Sequence, residues 1–376
     1  MQYSISPTIS GISIDPTTGE LSIADNLSAG DYYESVTITD SLGYSETISI
    51  LIRVNAKASV TGSETLTTTA GITTIFTALT TSGGTGALTF SLVGNASGTT
   101  AENRSGFSIS DTGVITVLSS LAADTYTIFV KVTDSLGIST IRTLYLVVNA
   151  VMQFANLETI TSTFGRTYTS NPLTITGGSG SYIFSITATG SGATIDPSTG
   201  AITLPDTLAV GLHYETITVT DVSSANSETI VVFEINPVPT LTGPETLTTT
   251  QGLAKFSAAF DGEEGTEPYT FSITGGASGI TINPTSGVVR VAETTVAGTY
   301  IETVTLTDAR GATVQETITI LVNSGVAISP QDSIIVTTFG RAELSSAFVS
   351  TGGTGDVVLS MTPIRNEVTF DPNSGI

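Results

Sequence analysis

Along residues 125–133 apolar and polar side chains alternate: Tyr126, Ile128, Val130 and Val132 share one parity, while Thr125, Thr127, Lys131 and Thr133 share the other. A period of two puts the two sets on opposite faces of an extended chain, which predicts a half-buried antiparallel strand. Turn signals interrupt such runs every ~8 to 12 residues, as in Gly83-Gly84-Thr85-Gly86, Asp111-Thr112-Gly113 and Asp134-Ser135-Leu136-Gly137. No segment sustains a helical period, so the pattern predicts an all-β fold of short strands and tight turns.

The pattern repeats. Val36-Thr37-Ile38-Thr39-Asp40, Val130-Lys131-Val132-Thr133-Asp134, Ile217-Thr218-Val219-Thr220-Asp221 and Val304-Thr305-Leu306-Thr307-Asp308 are each followed, 15 residues after the Asp, by Asn55, Asn149, Asn236 and Asn323. A second landmark, Tyr3, Phe90, Phe184, Phe271 and Leu359, recurs at spacings of 87, 94, 87 and 88. Five segments follow: 1–56, the C-terminal part of a repeat; 57–150, 151–237 and 238–324, whole repeats; and 325–376, the N-terminal part of one. A repeat of ~90 residues with these turns predicts a seven-stranded β-sandwich, and the chain a tandem array of them. Two repeat types alternate, because Glu64 to Thr69 recurs at Glu245 to Thr250 and Thr163-Phe164-Gly165-Arg166 at Thr338 to Arg341. Linkers such as Asn55-Ala56-Lys57 and Asn236-Pro237-Val238-Pro239 leave little spacer, from which an extended array is expected.

Composition narrows the function. The 376 residues carry 33 acidic and 11 basic side chains, a formal charge of −22, which excludes nucleic acid as a partner because phosphate contacts need clustered Lys and Arg. There is no Cys, and His213 is the single His. Disulfides, thiolate metal sites and Cys nucleophiles are thereby excluded. No apolar run approaches the ~18 residues of a transmembrane segment. The acidic, Cys-free, Thr-rich composition points to an extracellular, cell-surface location.

The succession Gly-Gly-x-Gly, Phe-Ser-Ile, Ile-Asp-Pro-x-Thr-Gly, Ala-Gly-x-Tyr, Val-Thr-Asp-x-x-Gly and a closing Val-Asn strand resembles the Ig-like and cadherin-like repeats of bacterial and archaeal surface proteins. Instances are Gly177 to Gly180, Phe184-Ser185-Ile186, Ile195 to Gly200 and Ala297-Gly298-Thr299-Tyr300. The resemblance covers the whole chain and implies the fold; domains of that kind serve as stalks, adhesins, surface-layer subunits and enzyme appendages. The Asp-Arg-Glu and Asp-x-Asn-Asp-Asn stretches of cadherins are absent.

Candidate chemistry is sparse. His213 occupies the position of Tyr32, Tyr126 and Tyr300, and reads as a variant of a strand-opening aromatic, with no nucleophile beside it. The glycine-rich loops lack both a Lys and a following helix, and read as turns rather than phosphate cradles. Strands A and G of a sandwich run parallel, which puts Lys57 and Asn149 at opposite poles and excludes an isopeptide bond between them. Asn26-Leu27-Ser28, Asn95-Ala96-Ser97 and Asn103-Arg104-Ser105 match the N-glycosylation sequon. Strand direction also gathers acidic landmarks at the poles: Asp111 and Asp134 of one repeat face Glu34 and Asn55 of the repeat before, and Asn283 and Asp308 face Glu215 and Asn236. Oxygen ligands from two domains suit Ca²⁺, so interdomain calcium is expected there; the competing expectation is that each Asp caps its own turn.

These readings predict a non-catalytic structural component of a surface layer, filament or adhesin stalk, whose partners are copies of itself or neighbouring repeats of a longer chain. The alternative is an adhesin segment recognising a glycan or a cell-surface protein through loops at a sandwich pole. Residues 3–19 align without a gap to residues 359–375. Two half-repeats of this kind are expected either to be cut from a longer array or to complete each other between subunits by strand exchange.

Overall fold

The structure, a computed structural model, describes all residues except 99–104, 156, 188, 330–333, 363–367 and 373–376. The sequon at Asn103-Arg104 and parts of the 359–375 alignment lie outside the described residues. The chain is all-β, as the alternating pattern predicts.

Residues 57–150 show how the pattern becomes a sandwich. One sheet orders Thr89–Val93, Asp124–Thr133, Ser139–Asn149 and Thr65–Thr69; the last strand runs parallel to Ser139–Asn149 and pairs Thr69 with Asn149. A second sheet orders Phe107–Ile109, Ile115–Val117 and Thr74–Ile75, and Ser59–Thr61 pairs with Thr80–Ser82. With the interrupted first and second strands each counted once, these are the seven strands of the predicted sandwich. Ile128, Val130 and Val132 of one long strand and Leu144, Leu146 and Val148 of its neighbour all point between the sheets and meet Ile115, Val117 and Phe107. Burial of these side chains, at ~1.5 to 3 kcal/mol each, is what holds the two sheets face to face.

Residues 238–324 repeat the plan. Thr270–Thr274, Gly298–Thr307, Thr313–Asn323 and the parallel Thr246–Thr250 form one sheet, and Lys255–Ala259, Val288–Val291 and Ile280–Ile282 the other. Phe271, Val289, Val291, Val304, Leu306, Ile318 and Ile320 fill its core. Residues 1–56 contribute Gln2–Ser6, Gly30–Thr39 and Ser45–Val54 in one sheet and the hairpin Ile12–Ile14 with Leu21–Ile23. In 325–376, Ala327–Ser329 pairs with Val349–Thr351.

Two compact units divide the chain. Met1–Ala155, Thr174–Phe184 and Thr218–Glu228 form the first; Asn156–Leu173, Ser185–Ile217 and Thr229–Ile376 form the second. The repeat at 151–237 therefore contributes to both. Its Gln153–Ala155 pairs with Thr174–Thr176 in the first unit, and its Ile160–Thr163 runs parallel to the end of Asn226–Asn236 in the second. No helix among the described residues is long and apolar enough to cross a membrane.

Candidate functional site

The residues that define the repeat converge where one sandwich follows another. After residue 237, Thr163 ends the strand Ile160–Thr163 and donates its hydroxyl to Asp308 Oδ2 at 2.5 Å, with Thr266 Oγ1 2.8 Å away. Asn236 donates its side-chain amide to Thr266 Oγ1 at 3.2 Å, and the Thr266 amide donates to Asp308 Oδ2 at 3.0 Å. The junction after residue 150 uses the same parts. Thr69 donates to Asp221 Oδ2, Asn149 Nδ2 donates to Ser179 Oγ at 3.3 Å, and the Ser179 amide donates to Asp221 Oδ2 at 2.8 Å. After residue 55, Asn55 reaches Thr85 Oγ1 at 3.1 Å and the Thr85 amide reaches Asp134 Oδ2 at 3.1 Å. After residue 323, Asn323 and Thr250 meet Thr354 Oγ1 at 2.8 and 2.7 Å.

The loop before the third strand of each sandwich brings the hydroxyl to this place because of its glycines. The amides of Gly84, Gly178, Gly265 and Gly353 donate to the linker carbonyls of Ala56, Ala150, Pro237 and Ser324 at 2.7, 2.7, 3.2 and 2.8 Å. At Gly177, with φ +80°, a Cβ would stand 2.3 Å from the Val151 carbonyl oxygen. A side chain on Gly177 in this geometry would push the linker off the loop. At the equivalent position of residues 238–324, Glu264 takes φ +62°, and the amide bond from Gly265 to the linker is the longest of the four, at 3.2 Å.

Each Asp closes its own turn with its other oxygen. Asp308 Oδ1 accepts the amides of Arg310 and Ala312 at 2.9 and 2.8 Å, and Asp221 and Asp134 do the same in their turns. Burial pushes the Asp308 carboxyl up, but donation from Thr163, Thr266, Ala312 and Arg310 outweighs it and holds the group below its ordinary value of 3.8. Two donors on each oxygen occupy the four lone-pair positions of the carboxylate. Asp308 and Asp221 do not fit a calcium ion, because neither has an oxygen lone pair left to offer it; Asp134 accepts one donor fewer, with the Thr85 amide alone on Oδ2. No group of three or more acidic or His side chains that could hold a metal ion occurs among the described residues.

The other expected ligands lie elsewhere. Glu34 and Glu215 sit mid-strand in Gly30–Thr39 and Gly211–Thr220, buried to 1% and 2% exposure, not at a pole. Glu215 accepts the Thr189 amide at 2.7 Å and its hydroxyl at 3.1 Å, both within its own repeat. Burial raises and the donors from Ser191 and Thr189 lower its pKa, with a net lowering. Parity explains the misplacement: the position shared with Ile128 faces inward, whatever residue fills it. Asn283 caps its own turn, accepting the amides of Thr285 and Ser286 at 2.9 and 3.0 Å. Asp111 is exposed, and Ser110, one residue earlier, takes the capping place by accepting the Val114 amide at 3.1 Å. Of the eight residues expected as ligands, the structure joins Asn55 with Asp134 and Asn236 with Asp308, through a Thr in each case.

His213 makes the contact its position implies. Its Nε2 lies 2.7 Å from the Ala209 carbonyl, where Tyr32, Tyr126 and Tyr300 donate to Ser28, Ala122 and Val296.

Sequence reasoning did not single out Thr69, Thr163, Ser179 or Thr266, nor Arg166, which donates to the Gly311 carbonyl. Nor did it single out Arg310, which donates to Thr161 O at 2.8 Å and stacks 3.8 Å over the Tyr168 ring. For Thr163 and Arg166 the signal was present in the recurrence of Thr-Phe-Gly-Arg, and for Ser179 in the x of Gly-Gly-x-Gly; Thr69, Thr266 and Arg310 lie in neither motif.

No protein-family model matches the chain, and no curated protein does either. Among solved structures, the human desmocollin-1 ectodomain is similar at 15% identity over 88% of this chain and 76% of that one, with a TM-score of 0.27. Sidekick-1 immunoglobulin domains 1–5 are similar at 16% identity over 86% and 74%, with a TM-score of 0.36. Drosophila N-cadherin EC1–4 is similar at 13% over 86% and 92%, with a TM-score of 0.25.

Proposed function

We propose that the chain is a non-catalytic structural component of an extracellular surface assembly, a run of Ig-like sandwiches whose successive members are locked by buried polar junctions. One observation carries this reading: the landmarks that recur along the sequence, the Asp of Val-Thr-Asp, the terminal Asn and the loop hydroxyl, meet at the junctions rather than in a cleft. A side chain repeated in every domain and engaged with the next domain serves the array. Bacterial or archaeal origin and a place in a surface layer, filament or stalk belong to the same reading. Negative-stain microscopy of the native material tests it. A regular sheet or filament decorated by antibody to this chain is the expected result; recovery of the chain only as dispersed single molecules would contradict it.

A further inference from the structure

The outer face of the four-stranded sheet in residues 238–324 carries no charge. Its outward positions are Thr299, Ile301, Thr303, Thr305 and Thr307 on one strand, faced by Leu321, Thr319, Thr317, Gln315 and Thr313 on the next. Thr274, Ser272 and Thr270 extend the rows on one side, and Thr246 extends them on the other. Ile301 and Leu321 are exposed among them. In a chain of charge −22 this is unusual ground.

The fold does not demand it. The corresponding face of residues 57–150 carries Lys131, Phe129 and Ile141, and its own loop lies over it: a Cβ on Gly98 would stand 2.6 Å from Ile141 Cδ1, and Val93 is 7% exposed. Residues 1–56 leave the face bare again. Thr37 and Thr47 bond across it at 2.9 Å, as do Thr39 and Ser45, and its charges are limited to the paired Asp31 and Arg53, 2.7 Å apart.

We propose that the uncharged face of residues 238–324 is a lateral contact surface for a second copy of this chain. This rests on the structural reading above and deepens it. Copies at −22 repel wherever carboxylates face each other, so close approach is favourable where none are present. Threonine hydroxyls both donate and accept, which makes a hydroxyl row complementary to itself, and their methyl groups supply apolar contact. Two central strands ~33 Å long and two flanking strands ~17 Å long, spaced ~4.8 Å apart, give about 500 Å² per copy, near the lower bound of specific interfaces. A single contact of this size is therefore weak.

Sedimentation of the 376-residue chain over a concentration series, at low and high NaCl, tests this. The expected result is reversible self-association that tightens with salt as the net repulsion is screened. Thr274→Glu/Thr317→Glu should weaken it at least tenfold while keeping the wild-type melting temperature. Thr281→Glu, on the outer face of the opposite sheet, should leave association unchanged. Thr317→Lys, which lowers the net charge yet puts a charge into the contact, should also weaken it. A chain monomeric throughout overturns the proposal, as does association that survives Thr274→Glu/Thr317→Glu or tightens with Thr317→Lys. Binding of the face to a glycan with no self-association overturns it too. None of those outcomes touches the junctions, so the structural reading would fail or stand separately.

Discussion

The junctions after residues 150 and 237 share four parts and differ in what surrounds them. Both join a strand-end Thr, a terminal Asn, a loop hydroxyl and a turn Asp: Thr69, Asn149, Ser179 and Asp221 in one, Thr163, Asn236, Thr266 and Asp308 in the other. Around the first, Ser223 adds a hydroxyl 2.8 Å from Ser179. Around the second, Arg166 and Arg310 reach across to backbone carbonyls, and Tyr168 receives the Arg310 guanidinium. The shared parts are therefore the lock itself, and the arginines, one from each of the two repeats, are a reinforcement particular to the second junction. The comparison also accounts for the alternation of repeats: Thr-Phe-Gly-Arg belongs to the reinforced kind.

The largest effect should come from removing the acceptor common to both. Asp308→Ala leaves the donors of Thr163, Thr266, Arg310 and Ala312 without it, three of them backbone amides. A loss of about 3 to 4 kcal/mol is expected in denaturant unfolding. Asp221→Ala should cost a similar amount at the other junction. Equal and negligible effects at both would break the claim that the shared set is the lock.

Acid should act in the same direction and less strongly. The folded-state pKa of Asp308 lies below its ordinary value of 3.8, so its stabilising contribution is complete above that value and is lost as pH falls through the lower folded one. Melting temperature between pH 5 and 2 should fall more in wild type than in Asp308→Asn. A parallel decline in the two would contradict the assignment.

Removal of the reinforcement separates the two junctions. Arg310→Ser gives up the bond to Thr161 and the stacking on Tyr168, for about 1 kcal/mol. The effect should appear as faster hydrogen exchange in residues 306–312 with residues 219–225 unchanged. The smallest expected effect is that of calcium. With both oxygens of Asp308 and Asp221 already accepting protein donors, millimolar Ca²⁺ and chelator should give the same melting temperature; a clear rise with Ca²⁺ would reopen a metal role.

The fold was largely legible in the sequence and the site only in part, for physical reasons. Alternation at Tyr126 to Val132 determines which side chains lie between the sheets, so strands, sheets and core could be read from parity. Asn55, Asn236, Asp134 and Asp308 could be placed at the junctions because strand direction determines the pole. Glu34 and Glu215 were misplaced because their parity turns them into the core, and a charge on an inward position looks like a surface ligand when position is judged by pole alone. Thr69 and Thr163 were hidden for another reason. Threonine is abundant here, and a hydroxyl that bonds across a domain boundary has the same spelling as one that merely favours a strand.

The central claim is that one sandwich holds the next through these side chains. A double-mutant cycle between Thr163→Val and Asp308→Asn tests it most directly, since the two residues are 145 apart in sequence and 2.5 Å apart at the junction. The account predicts a coupling of about 1 to 2 kcal/mol in unfolding free energy, with faster exchange of the 264–268 loop when Thr163 alone is changed. Additive effects of the two substitutions, with the loop's exchange unaltered by Thr163→Val, would contradict it.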